Sequence, residues 1–342
     1  MQLNEIRHVY DGQGPFVTVY LEGHSPSEDA QQQVRLRWES LRDQLSEEGA
    51  SDSALSSLDE AVLGAEPGEV QSNGRVLVVD ATGVILDKAW DAALGAGDAA
   101  HLGEEPQLGA FVRERERSAR LLVAVADQHG ALVRQVAVSE SHTVDTRAEG
   151  VVSSDSDSVH KPREGALSHK QIQNRADEVV KQNVRDVADH LDRVAKAWKP
   201  DLVVLAGEVQ GRTALRDELS SALQDAYVEI DSGGVSDDGA EEVLADELRR
   251  LAAERSDEAA QQRAEQFSAA QSRGLALEGS SRTAQALEMG AVETLLLEYD
   301  RTAEREAELL AASVRTDAEA ALTDSQLADA VGAILRFDVP DQ

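Results

Sequence analysis

One stretch limits the folds open to this chain more than any other. From Ser168 to Trp198, apolar residues recur at Ile172, Ala176, Val179, Val180, Val184, Val187, Ala188, Leu191, Val194, Ala195 and Trp198, in steps of one, three and four. That spacing predicts a single amphipathic helix, roughly 45 Å long at 1.5 Å per residue. Ser168, with Gln171 three places on, reads as a capping-box start, and Lys199–Pro200 as a stop. A short apolar run, Leu202–Gly207, comes directly after and reads as a buried strand, and a further helix is expected over about Thr213–Leu223. A long one-sided helix next to an apolar strand needs a sheet to lie on, so the fold class is α/β.

The flanking sequence repeats that alternation. Upstream, a strand is expected at Phe16–Leu21, helices at about 30–45 and 54–63, and a hairpin from Arg75–Asp80 to Val84–Leu86 around Ala81–Thr82–Gly83. The charged run FVRERERSAR comes next, in which Arg113, Arg115 and Arg117 alternate with Glu114 and Glu116. They are expected to neutralise one another on a surface. A second strand pair, LLVAVA and ALVRQVAV about Asp127–Gly130, then restarts a sheet. The Ser/Asp-rich run VVSSDSDS at 151–158 is expected to be a mobile, solvated loop. After the linker Asp231–Gly234, residues 237–265 set ten acids against four Arg, which reads as a helix with a solvated face. A helix at Arg282–Met289, a left-handed Gly290, a strand at Val292–Tyr299 and a last strand at 331–337 complete the chain. With 342 residues too many for one ordinary core, the expected architecture is three α/β domains: 1–114, 115–234 and 235–342. Trp38, Trp90 and Trp198 are assigned to core or interdomain packing, and Glu288 to a local cap or pair.

Composition removes several classes of function. There is no cysteine, which excludes disulfide frameworks, thiolate metal sites and cysteine nucleophiles. No phosphate loop, dinucleotide fingerprint, HExxH or GxSxG is present, and the eight histidines show no metal-ligand spacing, so no cofactor or metal is expected. No apolar run approaches the roughly 18 residues of a membrane span, and MQLNEIRHVYDGQG lacks the order of a signal peptide. The expectation is a cytoplasmic chain. Lys and Arg number 33 against 65 Asp and Glu, a net charge of −32; as a whole-chain property this argues against nucleic acid and anionic membranes, and no DNA or membrane partner is expected.

The local exception to that charge is the candidate site. In HKPREGALSHKQIQNR, Lys161, Arg163, Lys170 and Arg175 oppose only Glu164, a local +3. The segment joins a loop to the first turns of the long helix, where free N–H groups and the helix dipole favour a phosphate. Lys, Arg, Gln and His can also reach the sugars and base edges of folded RNA. A chance basic loop is the competing reading, and a body of −32 would repel RNA unless a long helix carried the basic tip away from it.

At these residues the chain resembles the archaeal and eukaryotic class 1 peptide-chain release factors and their Pelota relatives. The basic segment and the helix HKPREGALSHKQIQNRADEVVKQNVRDVADHL, after the hairpin LLVAVADQHGALVRQVAV, occupy the setting of that family's Gly-Gly-Gln loop and middle-domain helix. Thr283–Glu293, with the string ALEMGAVE, is similar to the helix-to-strand signature of the family's C-terminal, L7Ae/L30e-like domain. The resemblance covers residues 115–342 and reaches the first domain only by position. It implies a tRNA-like body. The first domain would approach 16S rRNA at the decoding centre, and the basic loop would approach 23S rRNA near the peptidyl-transferase region. The last domain would meet a translational GTPase of the elongation-factor Tu type. Lys161, Arg163, Lys170 and Arg175 become phosphate contacts, His169, Gln171 and Gln173 contacts to RNA edges, and Gly165 the turn into the helix capped by Ser168.

The chain departs from the family where the chemistry lies. Aligned through the serine, Gly-Gly-Gln becomes Gly165–Ala166–Leu167, and Leu167 has no group to position a water. The Asn-Ile-Lys-Ser type of codon-reading motif is absent from the first domain. Peptide release is therefore not expected, and the chain is closer in kind to the bacterial branch resembling the ribosome-hibernation factor Balon and its mycobacterial relatives. Two other classes stay open: a rescue factor or peptidyl-tRNA hydrolase using His160 or His169 as acid–base groups, and a stress protein on the same scaffold that does not bind ribosomes.

Overall fold

A computed structural model describes residues 3–22, 30–64, 74–90, 97–127, 130–139, 143–152, 169–224, 226–231 and 238–339. The chain forms two compact units, one from residues 1–117 with 255–342 and one from 118–254.

The first part of the chain runs from a 3-10 turn at Leu3–Glu5 through α1 (Arg7–Tyr10), β1 (Phe16–Leu21), α2 (Ala30–Glu48) and α3 (Asp52–Leu63). It continues through β2 (Gly74–Asp80), β3 (Gly83–Trp90), β4 (Ala99–Gly103) and α4 (Gly109–Arg117). Its antiparallel sheet has the order β3-β2-β1-β4. The expected hairpin is present, with Asp80 opposite Gly83. Trp38, Leu45, Leu55 and Leu58 seal α2 and α3 against one face of the sheet. Ser51 starts α3 by accepting the Ala54 N–H at 3.2 Å. Trp38 and Trp90 are core residues, as expected.

The second unit contains β5 (Ala119–Ala126), β6 (Ala131–Val138), β7 (Thr143–Val152), α5 (His169–Trp198), β8 (Leu202–Gly207), α6 (Val209–Glu218), α7 (Ser221–Gln224) and β9 (Tyr227–Glu229). The sheet order is β7-β6-β5-β8-β9. β5, β6 and β7 are antiparallel neighbours, and β8 and β9 join β5 in parallel. The predicted long helix and apolar strand are α5 and β8. Val151 and Val152, read as the start of a loop, instead close the edge strand β7, which pairs with β6 through two register shifts, at Gln135/Val136 and Ala137/Val138. The single helix expected over 213–223 is two, because the chain turns extended at Leu219, and the Ser220 hydroxyl donates to Asp192 at 2.6 Å.

α8 (Asp238–Gln271) comes next; Leu244, Leu248 and Leu251 in its first half cover the second unit's sheet. Its later residues belong to the first unit with β10 (Ala276–Glu278), α9 (Ser280–Glu288), β11 (Val292–Glu298), α10 (Glu306–Arg315), β12 (Glu319–Thr323) and β13 (Val331–Leu335). These strands form a sheet of order β10-β13-β11-β12. Gly290 has φ of 67°, the left-handed conformation expected after that helix. Each of the three expected stretches thus contains a sheet, all mixed α/β in character. The first and last share one hydrophobic core, formed among others by Tyr10, Trp90, Phe111, Leu310 and Leu322.

The surface reading of the charged run is overturned. Residues 109–117 are the helix α4, in which Arg113, Glu114 and Arg117 are buried. Arg113 takes as its partner not an adjacent glutamate but Glu306, 193 residues away, through paired bonds of 2.5 and 2.7 Å. Alternating charge cannot distinguish a solvated face from one whose counter-charge arrives from a distant segment.

Candidate nucleic-acid interface

Of the predicted site residues, Lys161, Arg163, Gly165 and Ser168 lie outside the described residues, as do most of the Ser/Asp-rich run and Leu167. His169, Lys170, Gln171, Gln173 and Arg175 lie in the first two turns of α5. The structure places these five on one continuous helix and shows the frame from which the helix is held.

That frame is one edge of the five-stranded sheet. β5 and β8 run parallel and end side by side, Ala126 next to Gly207. The hairpin turn after β5 is closed by Asp127 N–H to Gly130 O at 3.0 Å and by Gly130 N–H to the Asp127 carboxylate at 2.9 Å. β7 ends at the same edge, with Val152 opposite Ala131. The chain therefore leaves the sheet here, on its way to residue 169. α5 finishes at the opposite edge, where Lys199 is left-handed and Asp201 exchanges hydrogen bonds with the Arg120 backbone in both directions, at 2.8 Å each. It must then run antiparallel to β8.

The two lengths set the reach of the helix. Thirty helical residues rise about 45 Å, whereas the six residues of β8 cover about 20 Å. α5 is therefore longer than β8 by about 25 Å. On α5 the described buried contacts to the sheet are Val184, Val187, Ala188 and Leu191.

The packed half is fixed by apolar burial, with minor help from Arg185–Glu218 at 3.3 Å and Lys196–Asp192 at 3.6 Å. Burial, and then the adjacent Arg193 charge, lower His190 below the ordinary histidine value. Trp198 packs partly buried against the same core, in keeping with its assignment from sequence.

Two glycines make the edge possible. Gly207 has φ of 97°, and a Cβ there would sit 2.2 Å from the Ala126 carbonyl oxygen. A Cβ on Gly211 would lie 2.6 Å from the carbonyl oxygen of Asp127. Without side chains, α6 can start directly against the end of β5, and Glu208 N–H bonds Ala126 O at 2.8 Å. Arg212, buried on α6, donates to the Ile230 carbonyl and to Asp231 at 2.8 Å, tying down the end of β9. Sequence reasoning passed over all three; the signal was a glycine at the last position of a buried strand. Among the described residues, no group of His, Asp or Glu could hold a metal ion, and no helix is long and apolar enough to cross a membrane.

A five-stranded mixed sheet, packed against a helix of thirty residues and flanked in sequence by two further α/β segments, defines a multi-domain α/β protein. Residues 120–273, which hold that sheet and helix, match the model of bacterial archaeo-eukaryotic release factor family 2. It is 28% identical over 306 residues to an uncharacterised Mycobacterium tuberculosis protein, Rv2629 in strain H37Rv and MT2704 in strain CDC 1551. That match covers 87% of this chain and 78% of theirs. Similar solved structures include archaeal Pelota in a model of ribosome-bound Pelota and ABCE1 (15% identity, TM-score 0.45, covering 99% of this chain and 95% of that one). Another is Saccharomyces cerevisiae Dom34, a translation termination-like factor interacting with Hbs1 (11% identity, TM-score 0.40, covering 78% and 87%).

Proposed function

We propose that this chain is a ribosome-binding, tRNA-mimicking release-factor homologue that occupies the A site and silences translation without cutting peptidyl-tRNA, as a hibernation factor does. One observation carries the reading. The segment with the family match contains a thirty-residue helix, and the residues before and in its first two turns carry +3 in a chain of −32. Lys161, Arg163, Lys170 and Arg175 contact phosphates of 23S rRNA, and His169, Gln171 and Gln173 contact RNA edges. The first 114 residues face 16S rRNA, and the C-terminal segment meets a GTPase of the elongation-factor Tu type. Leu167, in the position of the hydrolytic glutamine, makes the chain a plug and not an esterase.

The test is cosedimentation with vacant 70S ribosomes over a salt series, beside a Lys161→Glu/Arg163→Glu variant. The wild type binds, and the variant binds less tightly. Its log–log salt slope is shallower by about 0.7–0.9 for each phosphate that the variant no longer neutralises. Equal binding by the two removes the loop from the interface. Peptide release from ribosome-bound peptidyl-tRNA, abolished by His169→Ala, would replace the plug with a hydrolase.

A further inference from the structure

We propose that α4 is a latch that makes residues 1–117 and 255–342 one cooperative body, so that neither sheet of the first unit opens without the other. The two sheets share a hydrophobic core, but α4 and the loop between β11 and α10 also divide a single polar site between them. Arg113 and Glu306 are buried, with side-chain exposures of 8% and 5%. The Arg113 fork holds both carboxylate oxygens and donates as well to the carbonyl of Arg301 at 2.7 Å. Arg117 donates to the carbonyl of Tyr299 at 2.7 Å, and its guanidinium lies 3.7 Å above the Tyr299 ring.

Glu306 has a second task. The oxygen facing Arg113 Nη2 also accepts the Ala303 N–H at 2.9 Å, closing the turn into α10. Gly109, at the start of α4, leaves room for that carboxylate, since a Cβ there would lie 1.7 Å from Glu306 Oε1. Withdrawing α4 strands a buried carboxylate and two carbonyls, and withdrawing the loop strands two buried guanidinium groups. Each segment supplies the partner that the other cannot leave unpaired in a desolvated place. The exposed pairs Arg7–Asp317 and Arg315–Glu105 also join residues 1–117 to 255–342, away from α4, and contribute little by comparison. It follows that a partner gripping either sheet stabilises both, whatever that partner is.

Hydrogen exchange of the full chain in rising sub-denaturing urea tests the latch. Amides of β2 and of β11 are expected to open with the same free energy and the same urea dependence; different dependences overturn the proposal. Arg113→Lys keeps the charge but loses the fork. It is expected to raise exchange in β2 and β11 by one common factor, about ten-fold or more, while β5 keeps its wild-type rate. A rise confined to one of the two strands, or one that includes β5 equally, overturns the proposal. The wild-type measurement decides by itself should the variant not fold.

Discussion

Replacing Gly207 by alanine tests how the sheet edge that carries α5 is built. Two costs act at this position. A left-handed conformation costs a residue with a Cβ about 1–2 kcal/mol, and the Cβ would sit 2.2 Å from Ala126 O and 2.7 Å from Ala126 N, both backbone atoms that cannot turn aside. Relieving that overlap by moving strands costs about 1–3 kcal/mol. It also endangers the Glu208 N–H bond to Ala126 O, worth about 1 kcal/mol. The sum is about 3 kcal/mol or more, a factor of about a hundred in the opening equilibrium. Two neighbours in the same unit serve as controls. Gly211 meets the Asp127 carbonyl at 2.6 Å without an unusual φ, so overlap is partly offset by the better helix propensity of alanine, leaving about 0–2 kcal/mol. Gly150 has nothing within 4 Å and no positive φ, which leaves about 0.5 kcal/mol at most. Hydrogen exchange of amides 121–126 under urea reads all three, with the expected order Gly150→Ala, Gly211→Ala, Gly207→Ala. A Gly207→Ala variant no less stable than Gly150→Ala would refute the close-approach account of this edge.

Three more expectations rest on single side chains. Leu191, fully buried between α5 and the sheet, should cost about 2–5 kcal/mol on truncation to alanine and below about 1.5 kcal/mol as methionine, measured by Trp198 fluorescence during urea unfolding; equal losses would mean the site does not depend on volume. Asp80 titrates below its ordinary 3.8: burial raises it, but hydrogen bonds from the Thr82 hydroxyl and from the Thr82, Gln13 and Gly83 N–H groups outweigh that. Its stabilisation is therefore present above pH 3.8 and lost as pH falls through the depressed folded value, so the Tm difference between wild type and Asp80→Asn should close on acidification; a constant difference would sever the link to charge. Gly109→Ala should destabilise the first unit through the Glu306 carboxylate, and Gly109→Ala combined with Glu306→Ala should be less than additive in urea unfolding.

Local order was legible in the sequence wherever the pattern was local. The three-and-four spacing of Val184, Val187, Ala188 and Leu191, the Lys199–Pro200 stop and the apolar run at 202–207 are statements about neighbours in the chain, and α5 and β8 lie where those residues put them. The same holds for the hairpin at Asp80–Gly83 and the left-handed Gly290. The basic segment, too, is a property of sequence alone: a sign reversal needs no fold to be seen. What the sequence could not show is which stripe residues find a strand beneath them; among the described side chains these are Val184, Val187, Ala188 and Leu191. Nor could it show that α4 is buried. Arg113, Glu114, Glu116 and Arg117 have the charge pattern of a solvated face, and only the arrival of Glu306 and the carbonyls of 299 and 301 turns it into an interior. A buried charge is set by its partner, and here the partner is separated by more than half the length of the chain; the tertiary structure alone brings the two within hydrogen-bonding distance.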